Sequence, residues 1–79
     1  MSGLRKIILR LKQGSRLSAQ ETRTILNYLG YNFQRQKGSH EQWVNGGRIF
    51  TLACHGKEIP FYILDTLKKM IEEKDENKE

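Results

Sequence analysis

Arg35, Lys37, Gly38, Ser39 and His40 stand close together in the chain. Two cations at alternate positions share one side of a strand. A glycine then allows a tight turn and a close backbone approach, and a hydroxyl and an imidazole follow at once. Together these residues can bind phosphate and transfer a proton at one point. Imidazole suits the proton step because both of its forms are accessible near neutrality. RNA brings its own nucleophile, the 2′-hydroxyl, so chemistry of this kind needs a general acid or base, cations for the phosphorane oxygens and positioning groups, with no metal or other cofactor. The same residues also fit a plain turn followed by a surface histidine, and their spacing alone leaves both readings open.

Other residues invite similar weighing. His55 is either the second half of an acid and base pair with His40 or a strand-end group that binds phosphate passively. Arg48 and Lys57 are candidates for the RNA backbone, Lys57 from a loop opposite the Gly38-Ser39-His40 turn. Lys68 and Lys69 either join them or form a solvated helix face. Trp43 either stacks on a base or covers sheet or partner surface. Cys54 reads as a small core or strand-end residue rather than a nucleophile. It is the only cysteine, which rules out an internal disulfide, and with two histidines it does not complete a common zinc pattern.

The elements that must position these residues follow from periodicity. Leu4, Ile7, Ile8 and Leu11 recur at helical spacing, predicting a helix over 3–13 that ends at Gly14. Ser18 three residues before Glu21 is a capping box, opening a second helix from Ala19 to Leu29 with Ile25, Leu26 and Leu29 buried and a stop at Gly30. Alternation then takes over, with Tyr31, Phe33, Arg35 and Lys37 on one side of a strand and Asn32, Gln34 and Gln36 on the other. Glu41 to Val44 reads as a second strand, Asn45-Gly46-Gly47 as a hairpin turn and Arg48 to Cys54 as a third strand. Pro60 suits the first turn of a closing helix, whose buried stripe is Ile63, Leu64, Leu67, Met70 and Ile71. The expected fold is α+β, in the order α-α-β-β-β-α, with the helices on one face of a three-stranded antiparallel sheet. Its helix-strand-strand-strand-helix part is like the double-stranded-RNA-binding fold in topology.

Seventy-nine residues allow one thin core, which calls for good packing or a partner. Residues 1–71 hold twelve Lys and Arg against four Asp and Glu, a balance of +8, while 72–79 hold five acids against two lysines, a balance of −3. The expectation is one basic domain over 1–71 and a charged, disordered tail over 72–79. Such a domain favours polyanions, nucleic acid first among them, although basicity also serves solubility. Arg5, Lys6, Arg10 and Lys12 interrupt the apolar residues of the first helix, so a signal peptide and a membrane span are not expected. A cytoplasmic location follows, and a lone cysteine fits a reducing compartment.

The run from Tyr28-Leu29-Gly30-Tyr31 through Arg35-Gln36-Lys37-Gly38-Ser39-His40, with Gly46-Gly47-Arg48, Thr51, His55-Gly56-Lys57-Glu58-Ile59 and the closing helix, resembles the HicA (YcfA-like) messenger-RNA interferase family over about residues 19–71. The resemblance implies a toxin of a type II toxin-antitoxin system, with a double-stranded-RNA-binding-like fold, that cleaves messenger RNA during translation arrest. It implies His40 as the catalytic residue and a HicB-type antitoxin as the neutralising partner. The chain departs from the family pattern at Glu41 and Gln42, which stand where many members carry His or Asn. It also lacks Val-Pro before His55-Gly56 and has an added helix over 3–13. Glu41 either raises the pKa of the neighbouring histidine or faces solvent. Two other readings stay open from the residues alone: an RNA-binding module of this fold that does not cut, and an interaction module whose basic face binds an acidic partner.

Overall fold

A computed structural model describes residues 2–54 and 58–76, apart from the side chains of Ser2 and Glu76. Ser18 closes the start of the second helix as its sequence predicts. Its hydroxyl accepts from the Glu21 backbone N–H at 3.1 Å, and the Glu21 carboxylate accepts from the Ser18 N–H at 2.9 Å. The described elements are α1 (Ser2–Lys12), α2 (Ala19–Tyr28), β1 (Asn32–Lys37), β2 (His40–Asn45), β3 (Arg48–Ala53) and α3 (Phe61–Glu76). The strands form one antiparallel sheet in the order β1-β2-β3, so the expected α+β architecture holds.

The helices cover one face of that sheet. Leu11 of α1, Leu17, Ile25 and Leu26 of α2, and Ile63, Leu64, Leu67 and Ile71 of α3 form one core with Tyr31, Trp43 and Leu52. Burying a side chain of this kind is worth about 1.5 to 3 kcal/mol, so α1 contributes through Leu11 while Leu4, Ile7 and Ile8 pack half-buried at its rim. Leu29 follows α2 as its C-terminal cap and is only half-buried.

Three local expectations change. Pro60 precedes α3, and its carbonyl accepts from the N–H groups of Ile63 and Leu64, so it sits at the cap position rather than inside the first turn. The closing helix does not fray at residue 72 but continues to Glu76. Two contacts tie those turns to the rest of the fold: Lys12 Nζ lies 3.3 Å from Asp75 Oδ2, and Lys74 Nζ lies 5.3 Å from the centre of the Tyr28 ring.

The third change lies in β1. Phe33 pairs with Trp43 but Arg35 pairs with Gln42, so Gln34 is an extra residue in a β-bulge. The bulge breaks the simple alternation. Phe33 keeps to the Trp43 side, where the two rings meet edge to face with centroids 5.7 Å apart. Arg35 and Lys37 move to the open face of the sheet, away from the helices.

Candidate active site

Two residues connect β1 to β2. Lys37 pairs with His40, leaving Gly38 and Ser39 as the loop. Gly38 has φ +61° and Ser39 has no positive φ, which is the type II′ requirement and matches the twist of the flanking strands. Gly46 repeats this at the β2–β3 turn, also at φ +61°. The first turn is held from both sides: Gln36 Nε2 donates to the Gly38 carbonyl at 3.0 Å, and the Cys54 N–H donates to the Ser39 carbonyl at 2.9 Å. A turn held in this way sets where β2 begins, and β2 begins at His40.

Side chains on β2 and β3 alternate from there. His40 and Gln42 face the open side with Thr51, the cross-strand partner of Gln42, while Glu41, Trp43 and Leu52 face the helices. Arg35, Lys37, Gly38, Ser39, His40, Gln42 and Thr51 line one open-face cavity of about 560 Å³, a size suited to a small ligand or one unit of a larger one. Among the described residues neither Arg35 nor Lys37 has a carboxylate partner. Their charge is therefore available to an anion.

Gln42 and Thr51 belong to this site although sequence reasoning did not select them. The signal that finds them is the period of two counted from His40 along β2, which a linear motif ending at His40 does not include. Arg48 was expected beside the RNA and is not brought to the cavity. It pairs with Asn45 at the other end of the hairpin, five residues along β2 from His40, a separation of ~17 Å. Lys68 and Lys69 lie on α3, across the sheet from the cavity. The candidates His55 and Lys57 lie outside the described residues, as does any pairing of His55 with His40.

Glu41 does not face solvent, and its carboxylate is not beside the His40 imidazole. It follows His40 in sequence but points to the opposite face, where it is 3% exposed. There the Arg23 guanidinium of α2 grips both carboxylate oxygens, with Nε 3.1 Å from each and Nη2 bonded to Oε2, and Trp43 Nε1 donates to Oε1 at 3.0 Å. The Arg23 hydrogen bonds hold the Glu41 carboxyl below the usual range, outweighing the opposing effect of burial. The same contact raises Arg23. Trp43 is thereby a core residue, 4% exposed, and is not available to stack on a base. Burial, reinforced by the charge of Glu41, pushes the Cys54 thiol up, consistent with a packed strand end and not a nucleophile.

Among the described residues no three of His, Cys, Asp and Glu gather as metal ligands, and no helix is long and apolar enough to cross a membrane. A sheet backed by helices on one side, with cations, a tight turn and an imidazole on the other, defines a small α+β protein whose open face gathers cations without carboxylate partners among the described residues. The sequence model of the family described as the HicA toxin of bacterial toxin-antitoxin matches residues 19–73. The chain belongs to that family. It is accordingly a toxin-antitoxin toxin, and the family implies a cognate antitoxin as its partner. No curated protein and no solved structure gives a significant match. The matched span begins at α2, so α1 lies outside it.

Proposed function

We propose that this toxin is an endoribonuclease that cuts messenger RNA in the cytoplasm, with His40 as its catalytic residue and a HicB-type antitoxin as its partner. The observation that carries the reading is the meeting of Arg35, Lys37, the Gly38-Ser39 turn and His40 at one cavity on the uncovered face of the sheet.

The chemistry follows from the groups present. A phosphodiester over the cavity has its oxygens near Arg35 and Lys37, which offset the charge that builds as phosphorus becomes five-coordinate. Backbone at the Gly38-Ser39 turn is open to close approach, because a Cβ added at Gly38 would meet nothing within 4 Å. The neutral imidazole of His40 takes the proton from the 2′-hydroxyl as the O2′–P bond forms. The P–O5′ bond then breaks, and the departing 5′-oxygen takes a proton from solvent. The products are a 2′,3′-cyclic phosphate and a 5′-hydroxyl, and no redox partner enters.

His40→Ala tests this directly. The variant should lose RNA cleavage and growth arrest and keep the thermal midpoint of the parent, because an exposed strand-end imidazole buries little surface. Cleavage by the pure variant at the parental rate would remove His40 from the mechanism.

A further inference from the structure

The open face carries a second row of polar side chains beside the one that holds His40. Arg35, Gln42 and Thr51 are direct partners across β1, β2 and β3. This row lies two residues along β2 from His40, hence ~6.6 Å away, a span comparable with that from a nucleotide's phosphate to its base. Both rows line the same cavity.

Within the second row, Arg35 Nε donates to Gln42 Oε1 at 3.1 Å. A guanidinium has only donors, so the amide must turn its oxygen toward Arg35, and the Gln42 Nε2 group is left to donate elsewhere. Arg35 keeps two Nη groups and has no carboxylate partner among the described residues, so one Nη can stay on the phosphate while the other is offered along the row. The centre of the row therefore presents adjacent donors. A glutamine that reads adenine must accept and donate at once, and here the accepting atom is directed at β1.

We propose that Arg35 and Gln42 are a base-reading pair that selects a nucleotide whose base presents two adjacent acceptors, guanine through O6 and N7 or cytosine through N3 and O2. Adenine sets its amino donor between the ring acceptors of its two reading edges, and uracil sets N3–H between its two carbonyls, so neither offers adjacent acceptors. Recognition of this kind suits single-stranded RNA, whose unpaired bases expose these edges. The inference rests on the ribonuclease reading and extends it from cutting RNA to choosing where.

The test is single-turnover cleavage of short single-stranded RNAs that differ only in the bases flanking one cleavable bond. At one flanking position guanine or cytosine should be favoured over adenine and uracil by about 5- to 150-fold, the discrimination of one bidentate contact. Gln42→Ala should narrow that preference, most at cytosine, because Arg35 alone can still pair with guanine O6 and N7. Gln42→Glu, which adds an acceptor beside Arg35, should raise the relative rate on adenine. A preference that is unchanged in Gln42→Ala, or a parent that cuts all four alike, would overturn the base-reading pair and leave the ribonuclease intact. A parent that cuts none of the RNAs, like His40→Ala, would overturn the ribonuclease reading and this inference with it.

Discussion

Arg23 of α2 and Glu41 of β2 form a bidentate ion pair on the helix side of the sheet, directly behind the strand position next to His40. Chain neighbours on a strand face opposite ways, so His40 reaches the open cavity while Glu41 fastens the same stretch of backbone to a helix. The Trp43 indole completes the carboxylate's hydrogen bonds, and among the described residues no buried side-chain polar atom lacks a partner.

Removing one partner strands the other. Arg23→Ala should lower stability by about 2 to 3 kcal/mol, less than the ~3 to 5 of a fully buried pair because Arg23 is partly open to water. Chemical denaturation measures this, and a loss below about 0.5 kcal/mol, as at an exposed pair, would show that the pair does not hold β2.

The pair also sets a pH dependence. Glu41 has a folded pKa below its unfolded value, so the unfolded chain binds the proton more readily. Its contribution is present in full above the unfolded carboxylate range, ~4.3, and is lost as pH falls through the lower folded value. Glu21, lowered chiefly by its bond to the Ser18 backbone, acts in the same direction. Denaturation midpoints from pH 6 downward should therefore fall less steeply for Glu41→Gln than for the parent. Parallel curves would mean that the Glu41 carboxyl does not titrate differently on folding.

Two cations that look alike in sequence should behave differently. Lys37→Ala removes charge at the cavity and should slow cleavage by on the order of tenfold to a hundredfold, below the full effect of a buried oxyanion donor. Arg48 stands ~17 Å from His40 along β2, beyond the ~10 Å screening length at 0.1 M salt. Arg48→Ala should change the rate by less than about twofold at that ionic strength. Equal losses in both variants would place the RNA along the whole hairpin.

The proposed chemistry draws its nucleophile from RNA and its charge stabilisation from Arg35 and Lys37. Chelator at millimolar concentration should leave the cleavage rate of the pure protein unchanged. Loss of cleavage that one divalent ion restores would replace this mechanism with a metal-assisted one.

Local signals made the elements legible in the sequence. Ser18 and Glu21 announced α2, the stripe from Ile63 to Ile71 announced α3, and the glycines at 38 and 46 announced both hairpin turns. The motif from Arg35 to His40 was legible as a site for the same reason: its members are close in sequence. What the sequence concealed depends on contacts between distant segments. The bulge at Gln34 arises from pairing with β2, and no residue type at that position demands it. Glu41 looks like a neighbour of His40 in the sequence, but adjacent residues of a strand face opposite sides. Its partner Arg23 lies eighteen positions earlier on a helix, and only packing of α2 on the sheet brings the two together. Residues 72–76 look like tail by composition, yet they continue α3, and the contact of Asp75 with Lys12, sixty-three positions earlier, is not visible in the local sequence.

The last prediction concerns the antitoxin. The open face presents Arg35 and Lys37 without carboxylate partners among the described residues, and farther along it Ile49 is 65% exposed. A cationic patch beside an exposed aliphatic side chain suits a protein partner that brings acidic groups and some apolar surface, so a HicB-type antitoxin should dock here and cover His40. Attraction between opposite charges should make association fast and salt-sensitive. Binding only the folded toxin should also stabilise it, by ~2.7 kcal/mol at a hundredfold excess over the dissociation constant. Co-expression with the product of the adjacent gene, followed by hydrogen exchange, reads both effects. Amides of the Gly38-Ser39-His40 turn should gain protection beyond what global stabilisation gives the core strands, and RNA cleavage should stop. A stable complex in which that turn exchanges as in the free toxin, with cleavage intact, would show that neutralisation does not work by covering the site.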